Sequence, residues 1–194
     1  MTKTFCPLPF THLYIRPNGE YQPCCRFKGV GHTNKIHEYD SLDTLRNSSK
    51  LLSSIRQGML NGEKIKGCES CYLEEEAGGE SMRTGEMERW VGNEELGEKT
   101  PTVNNIEITF GNYCNLACRT CGSTLSTSWQ NDDEILSKIY DRAHTDTRQN
   151  VKKDWVPEDF KNVEKFKITG GEPMLHPDFL SFLDDIIQSG SAKN

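Results

Sequence analysis

The run Cys114-Asn115-Leu116-Ala117-Cys118-Arg119-Thr120-Cys121 constrains this chain more than any other segment. Its spacing is C-x3-C-x2-C. It follows a strand-like stretch, Asn105-Ile106-Glu107-Ile108-Thr109-Phe110, through a turn at Gly111-Asn112. Three thiolates on one short loop hold three irons of a four-iron cubane and leave the fourth iron without a protein ligand. An open iron is a place for chemistry, whereas a fully ligated cluster mainly stores or passes electrons.

A second signal lies downstream. Phe166-Lys167-Ile168-Thr169 reads as a short buried strand, and Gly170-Gly171-Glu172-Pro173 follows it at once. Glycines at a strand end let a ligand approach the backbone closely. A carboxylate beside them accepts hydrogen bonds from a ligand's amino group, and Pro173 fixes the turn.

Together the two motifs resemble the radical S-adenosylmethionine (SAM) superfamily, over residues 103–194. The resemblance implies that Cys114, Cys118 and Cys121 ligate a [4Fe-4S] cluster whose unique iron is chelated by SAM. It implies that Gly170, Gly171, Glu172 and Pro173 bind the methionine end of that cofactor. Reduction of the cluster by a low-potential electron donor would then cleave the sulfonium C–S bond, and the resulting radical would abstract hydrogen from the substrate. One position departs from the pattern. The residue before the third cysteine is usually aromatic and packs near the adenine; here it is Thr120.

Of the eight cysteines, five precede this loop. Cys6 and Cys24 flank Thr11–Tyr21, which reads as a hairpin with a Pro17-Asn18-Gly19 turn. Cys68-Glu69-Ser70-Cys71 is a C-x2-C knuckle that lets two thiolates bind one metal or one cluster. The pattern Cys6…Gly19-x4-Cys24…Cys68-x2-Cys71 resembles the auxiliary-cluster element of SPASM and twitch radical SAM proteins, here placed ahead of the barrel. The resemblance implies a second iron-sulfur cluster on Cys6, Cys24, Cys68 and Cys71. Cys24 fits the Gly-x4-Cys spacing, and a swap with Cys25 stays open. So does a zinc site on the same four thiolates, since zinc takes an all-thiolate tetrahedral set.

The implied architecture is α/β: a small cysteine-rich α+β iron-sulfur domain over residues 1–99, then part of a radical SAM (β/α) barrel over residues 100–194. After the last helix an alternating β/α pattern expects a third parallel strand. The chain stops at Ser189–Asn194 without one, so the expectation is a core domain cut short.

Local patterns fill in the rest. Leu42, Leu45, Leu52, Ile55 and Met59 recur near helical spacing, with a break at Asn47-Ser48 and a stop at Asn61-Gly62. Residues 69–90 read as a helix weakened by Gly78-Gly79, and 94–102 as a linker. A helix over Ser123–Asp141 would bury Trp129, Ile135, Leu136 and Ile139. Residues 142–157 read as a polar insertion and Pro157–Asn162 as a short helix. A last helix opening at His176-Pro177-Asp178 would bury Phe179, Leu180, Leu183, Ile186 and Ile187. The five histidines are isolated and lack ligand spacing.

Composition excludes several classes. A net charge of −6 argues against non-specific nucleic-acid binding. The negative excess sits between Glu74 and Glu98, with nine Glu and two Arg, and reads as a solvated helix face and linker. No apolar run approaches the ~18 residues of a membrane span, and no signal peptide opens the chain. Eight cysteines without an export signal point to metal ligands and a cytoplasmic location. The reading is a radical SAM enzyme whose substrate, by resemblance, is a peptide or protein. The alternative is a non-catalytic zinc or iron-sulfur scaffold or redox relay; a third reading is a degenerate homologue that binds a cluster without turnover.

Overall fold

The turn Pro17-Asn18-Gly19 folds the chain back on itself, and the hairpin it makes forms one edge of a larger sheet. Gly19 sits at φ +76°, a region open to glycine. The computed structural model describes residues 2–29, 34–89, 103–142 and 157–190. Strand β1 (His12–Ile15) pairs antiparallel with β2 (Tyr21–Gln22). It also pairs in parallel with β3 (Asn105–Thr109), Leu13 opposite Ile106 and Ile15 opposite Ile108. β3 in turn pairs in parallel with β4 (Lys165–Thr169). The order is β2-β1-β3-β4. The boundary expected at 99/100 falls outside the described residues, and strands from before and after it share this one sheet.

Seven α-helices accompany the sheet among the described residues, giving a mixed α/β fold: α1 (Leu8–Thr11), α2 (Leu42–Ser48), α3 (Lys50–Leu60), α4 (Glu69–Glu76), α5 (Met82–Arg89), α6 (Gln130–Ile139) and α7 (Phe179–Gln188). None is long and apolar enough to cross a membrane. The break expected near Asn47-Ser48 falls at Ser49. Its hydroxyl accepts the Leu52 N–H at 3.1 Å and caps α3. It also accepts the Tyr21 hydroxyl at 2.8 Å, which ties the junction to the sheet. The helix expected over residues 69–90 is split into α4 and α5, with Gly78 at φ +79° between them.

Strand alternation divides the sheet into two unlike faces. Leu13, Ile15, Ile106 and Ile108 point to one face and are at most 1% exposed. They join Leu42, Leu45 and Leu52 on one side and Phe182 and Ile186 of α7 on the other. Edge-on ring contacts link Phe110 to Phe179 and Phe182, and Phe160 to Phe166 and Phe182. The opposite face carries His12, Tyr14, Glu107, Thr109, Lys167 and Thr169, as the register dictates.

Three expectations about burial need correction. β4 is an edge strand, so it is not fully buried; Lys165 and Lys167 are exposed. α6 begins at Gln130, because the hydroxyls of Ser126, Thr127 and Ser128 bond to neighbouring loop backbone ahead of it. Its apolar residues Ile135, Leu136 and Ile139 are 56%, 39% and 66% exposed; a helical stripe exists, but no described element covers it. α7 starts at Phe179 and buries Phe179, Phe182 and Ile186, with Leu183 partly buried, while Leu180 and Ile187 face outward. Trp90, Trp155, the 94–102 linker and most of the 142–157 insertion lie outside the described residues.

Because Leu13 to Leu52 on one side of the chain and Val103 to Ile186 on the other contribute to one apolar cluster, Ile106→Ala should cost about 2–5 kcal/mol. Urea denaturation followed by far-ultraviolet circular dichroism should show a single transition at a lower midpoint. Two separated transitions would contradict a shared core.

Candidate metal centres

Four of the five N-terminal cysteines meet at one pocket. Cys6 stands just ahead of α1, Cys24 follows β2, Cys68 ends a short 3-10 turn (Lys66–Cys68), and Cys71 lies in the first turn of α4. The i, i+3 spacing places Cys68 and Cys71 on one side of the positive end of α4, where thiolates are favoured. Phe27 closes the pocket by packing against Gly67, where any Cβ would fall under 3.0 Å from the ring. Leu8 and Met82 complete the apolar wall. Cys25 does not line this pocket; it is exposed, and burial of its thiol together with the nearby Glu107 carboxylate on the polar sheet face raises its pKa. The structure thus puts Cys24, and not Cys25, on the pocket.

The electrostatics suit a bound cation or cluster. Burial pushes the Cys24 thiol up to about 11 and the Cys68 thiol up to about 12, and raises Cys6 further. Neighbouring thiols reinforce each shift, since adjacent thiolates repel. Without a metal the pocket therefore keeps these groups as thiols, and loading it must release protons. Arg26 and Arg83 also line the pocket. Both are held by the acidic run: Arg26 pairs with Glu74, and Arg83 pairs with Glu75 while donating to the Phe5 carbonyl at 2.9 Å. This acidic segment is thus partly a second layer around the pocket as well as a solvated face.

The three-cysteine loop hangs from the end of β3 and is strapped from behind. Asn112 donates to the Ser123 carbonyl at 2.8 Å and accepts the Thr127 N–H at 2.8 Å. Thr127 and Ser128 hydroxyls both donate to the Cys114 carbonyl at 2.9 Å, and the Trp129 indole donates to the Cys118 carbonyl at 3.1 Å. The Cys114 sulfur accepts the Leu116 N–H at 3.4 Å. Cys114 and Cys121 are half-buried and Cys118 is exposed, so the loop opens to solvent.

The Gly-Gly-Glu-Pro turn is joined to the root of this loop. Gly171 donates to the Gly111 carbonyl at 3.0 Å and Glu172 to the Tyr113 carbonyl at 2.6 Å. Gly170 lies at φ +123°, and a Cβ on Gly170 or Gly171 would fall under 3.0 Å from the Gly111 or Tyr113 carbonyl oxygen. Close approach of backbone to backbone thus already requires both glycines. Glu172 accepts the Met174 N–H at 3.2 Å and caps the 3-10 turn Pro173–Leu175. Thr169, Gly171, Glu172 and Tyr113 line a small crevice here, floored by Phe110 and His176. His176 is buried edge-on against Phe110 and Tyr113, and burial lowers its pKa.

Among the described residues, no three His, Cys, Asp or Glu side chains close around a single ion. Residues missed by reading the sequence alone are Arg26 and Arg83 at the pocket, and His12, Glu107 and Lys167 on the sheet. A charged residue between Ile106 and Ile108 was the one available signal for the latter group.

Residues 6–72 match the family model of the SPASM iron-sulfur cluster-binding domain. That domain occurs in radical SAM proteins. No curated protein and no solved structure matches the chain. The match indicates iron-sulfur cluster binding by residues 6–72, and four of the five cysteines in that span line one pocket.

Two pairs of substitutions separate the sites. Cys24→Ser should abolish iron uptake at the N-terminal pocket, while Cys25→Ser should leave it intact, measured as iron per chain after anaerobic reconstitution. Gly171→Ala should perturb the three-cysteine loop, while Gly122→Ala, which meets nothing within 4 Å, should not; amide hydrogen exchange over residues 111–129 reads the difference.

Proposed function

We propose that the protein is a radical SAM enzyme with an auxiliary iron-sulfur cluster in its N-terminal domain. The observation that carries this reading is the junction of two motifs: the Gly170-Gly171-Glu172-Pro173 turn is hydrogen-bonded onto the root of the Cys114–Cys121 loop. A structural metal site has no use for such a turn. The SPASM match over residues 6–72 supports the association.

In this reading Cys114, Cys118 and Cys121 hold the SAM-binding [4Fe-4S] cluster. Gly170 and Gly171 bring backbone close to the methionine end of SAM, Glu172 orients its ammonium, and Pro173 fixes the turn. Cluster and SAM, when bound, supply one-electron cleavage of the sulfonium and hydrogen abstraction from the substrate. The chain's own groups bind, orient and shield: Trp129 and Thr127 fix the loop, and Phe110 and neutral His176 make the crevice floor apolar.

Cys6, Cys24, Cys68 and Cys71 would hold the second cluster. The SPASM match over residues 6–72 favours an iron-sulfur cluster there over a single zinc. The reading brings with it a low-potential electron donor, a peptide or protein substrate and a cytoplasmic setting, and no nucleic-acid or membrane partner. A second reading has its own support: the family match ends at residue 72, ahead of the three-cysteine loop. On that reading the protein is a cluster or zinc scaffold without SAM chemistry.

Anaerobic reconstitution with iron and sulfide decides between them. About eight irons per chain are expected, with an electron paramagnetic resonance signal of the reduced protein that changes on adding SAM. Cys118→Ala should remove the SAM-dependent change and leave about four irons. Zinc in place of iron, or a spectrum indifferent to SAM, would establish the scaffold reading.

A further inference from the structure

The polar face of the sheet carries a connected set of groups that neither motif uses. Glu107 stands at the centre of β3 with its side chain 5% exposed. Lys167, directly opposite on β4, places its ammonium 2.9 Å from one carboxylate oxygen. His12 of β1 places Nε2 3.8 Å from the other oxygen. The His12 Nδ1 lies 3.0 Å from the Pro23 carbonyl, and since a carbonyl only accepts, Nδ1 carries the proton. Pro23 immediately precedes Cys24, which lines the pocket, and Cys25, whose thiol feels the Glu107 charge.

Such a set has no structural necessity in a parallel sheet. A carboxylate this buried costs several kcal/mol unless paired, and an apolar residue in β3 would pair its strand as well. What the set does is flank the Pro23-Cys24-Cys25 turn from one side: His12 holds the carbonyl ahead of Cys24, and Glu107 places its negative charge near Cys25. His12 stands on β1 and Glu107 on the neighbouring β3, the strand that leads into the three-cysteine loop.

We propose that Glu107 and His12 are positioning residues for the auxiliary cluster. They act on Cys24 through its flanking residues, and Lys167 sets the charge that Glu107 presents to the site. This rests on the reading of Cys6, Cys24, Cys68 and Cys71 as cluster ligands. Groups of this kind around a metal ligand fix its orientation and tune the metal. The reduction potential of a cluster also follows the charge near it.

The test uses the full chain carrying Cys118→Ala, so that only the auxiliary cluster is loaded, with iron content and midpoint potential as readouts. Glu107→Gln removes a negative charge at constant shape and should move the midpoint to a more positive value with iron retained. Lys167→Met, at an exposed position, should move it the opposite way. His12→Phe should lose cluster faster on dilution into chelator, and His12→Asn, whose amide can donate to the Pro23 carbonyl, should restore retention. Unchanged midpoints in both charge variants, together with equal retention in His12→Phe and His12→Asn, would overturn the proposal and leave a simple tie between strands. A parent protein that takes up no iron would instead bring down the four-cysteine reading on which the proposal stands.

Discussion

Everything else in the structure hangs on the parallel pairing of β1 with β3. Four residue pairs, from His12 opposite Asn105 to Ile15 opposite Ile108, join the hairpin to the strand that carries the three-cysteine loop. A parallel pair is joined only through a long connection, so chain entropy opposes it. The apolar face answers that cost: Leu13, Ile15, Ile106 and Ile108 are sealed under α2, α3 and α7. The same pairing fixes which side chains meet on the other face, because a slip by one residue would exchange the two faces.

Each candidate centre is then a local solution built on this platform. The N-terminal pocket buries Cys6 and Cys71, half-buries Cys24 and Cys68, and is lined by two arginines, each restrained by a glutamate. The three-cysteine loop leaves its thiols near solvent and invests its order in the backbone, through Asn112, Thr127, Ser128 and Trp129. One site is closed by packing and the other is open but rigid at its base.

Much of this was legible from spacing. The hairpin turn, the C-x2-C knuckle and the cysteine loop are local patterns, and local geometry decides them. The convergence of Cys6 and Cys24 with Cys68 and Cys71 followed from resemblance, and the pocket shows how it is made. Less accessible were features that depend on what lies across a gap. Ile135, Ile139, Leu180 and Ile187 have helical periodicity, but periodicity does not say whether a neighbour covers them. Lys167 reads as an interruption in an apolar strand until the register sets it beside Glu107. The glycines at 170 and 171 read as room for a ligand, whereas the nearest occupants of that space are the carbonyls of Gly111 and Tyr113.

Those two carbonyls have a chemical consequence. They take up the N–H groups of Gly171 and Glu172, so these amides are committed within the protein. The Glu172 and Pro173 carbonyls are taken up in the same way, by the Leu175 and His176 N–H groups. Main-chain pairing thus closes the turn on itself and ties it to the cysteine loop, so whatever moves one motif is felt at the other.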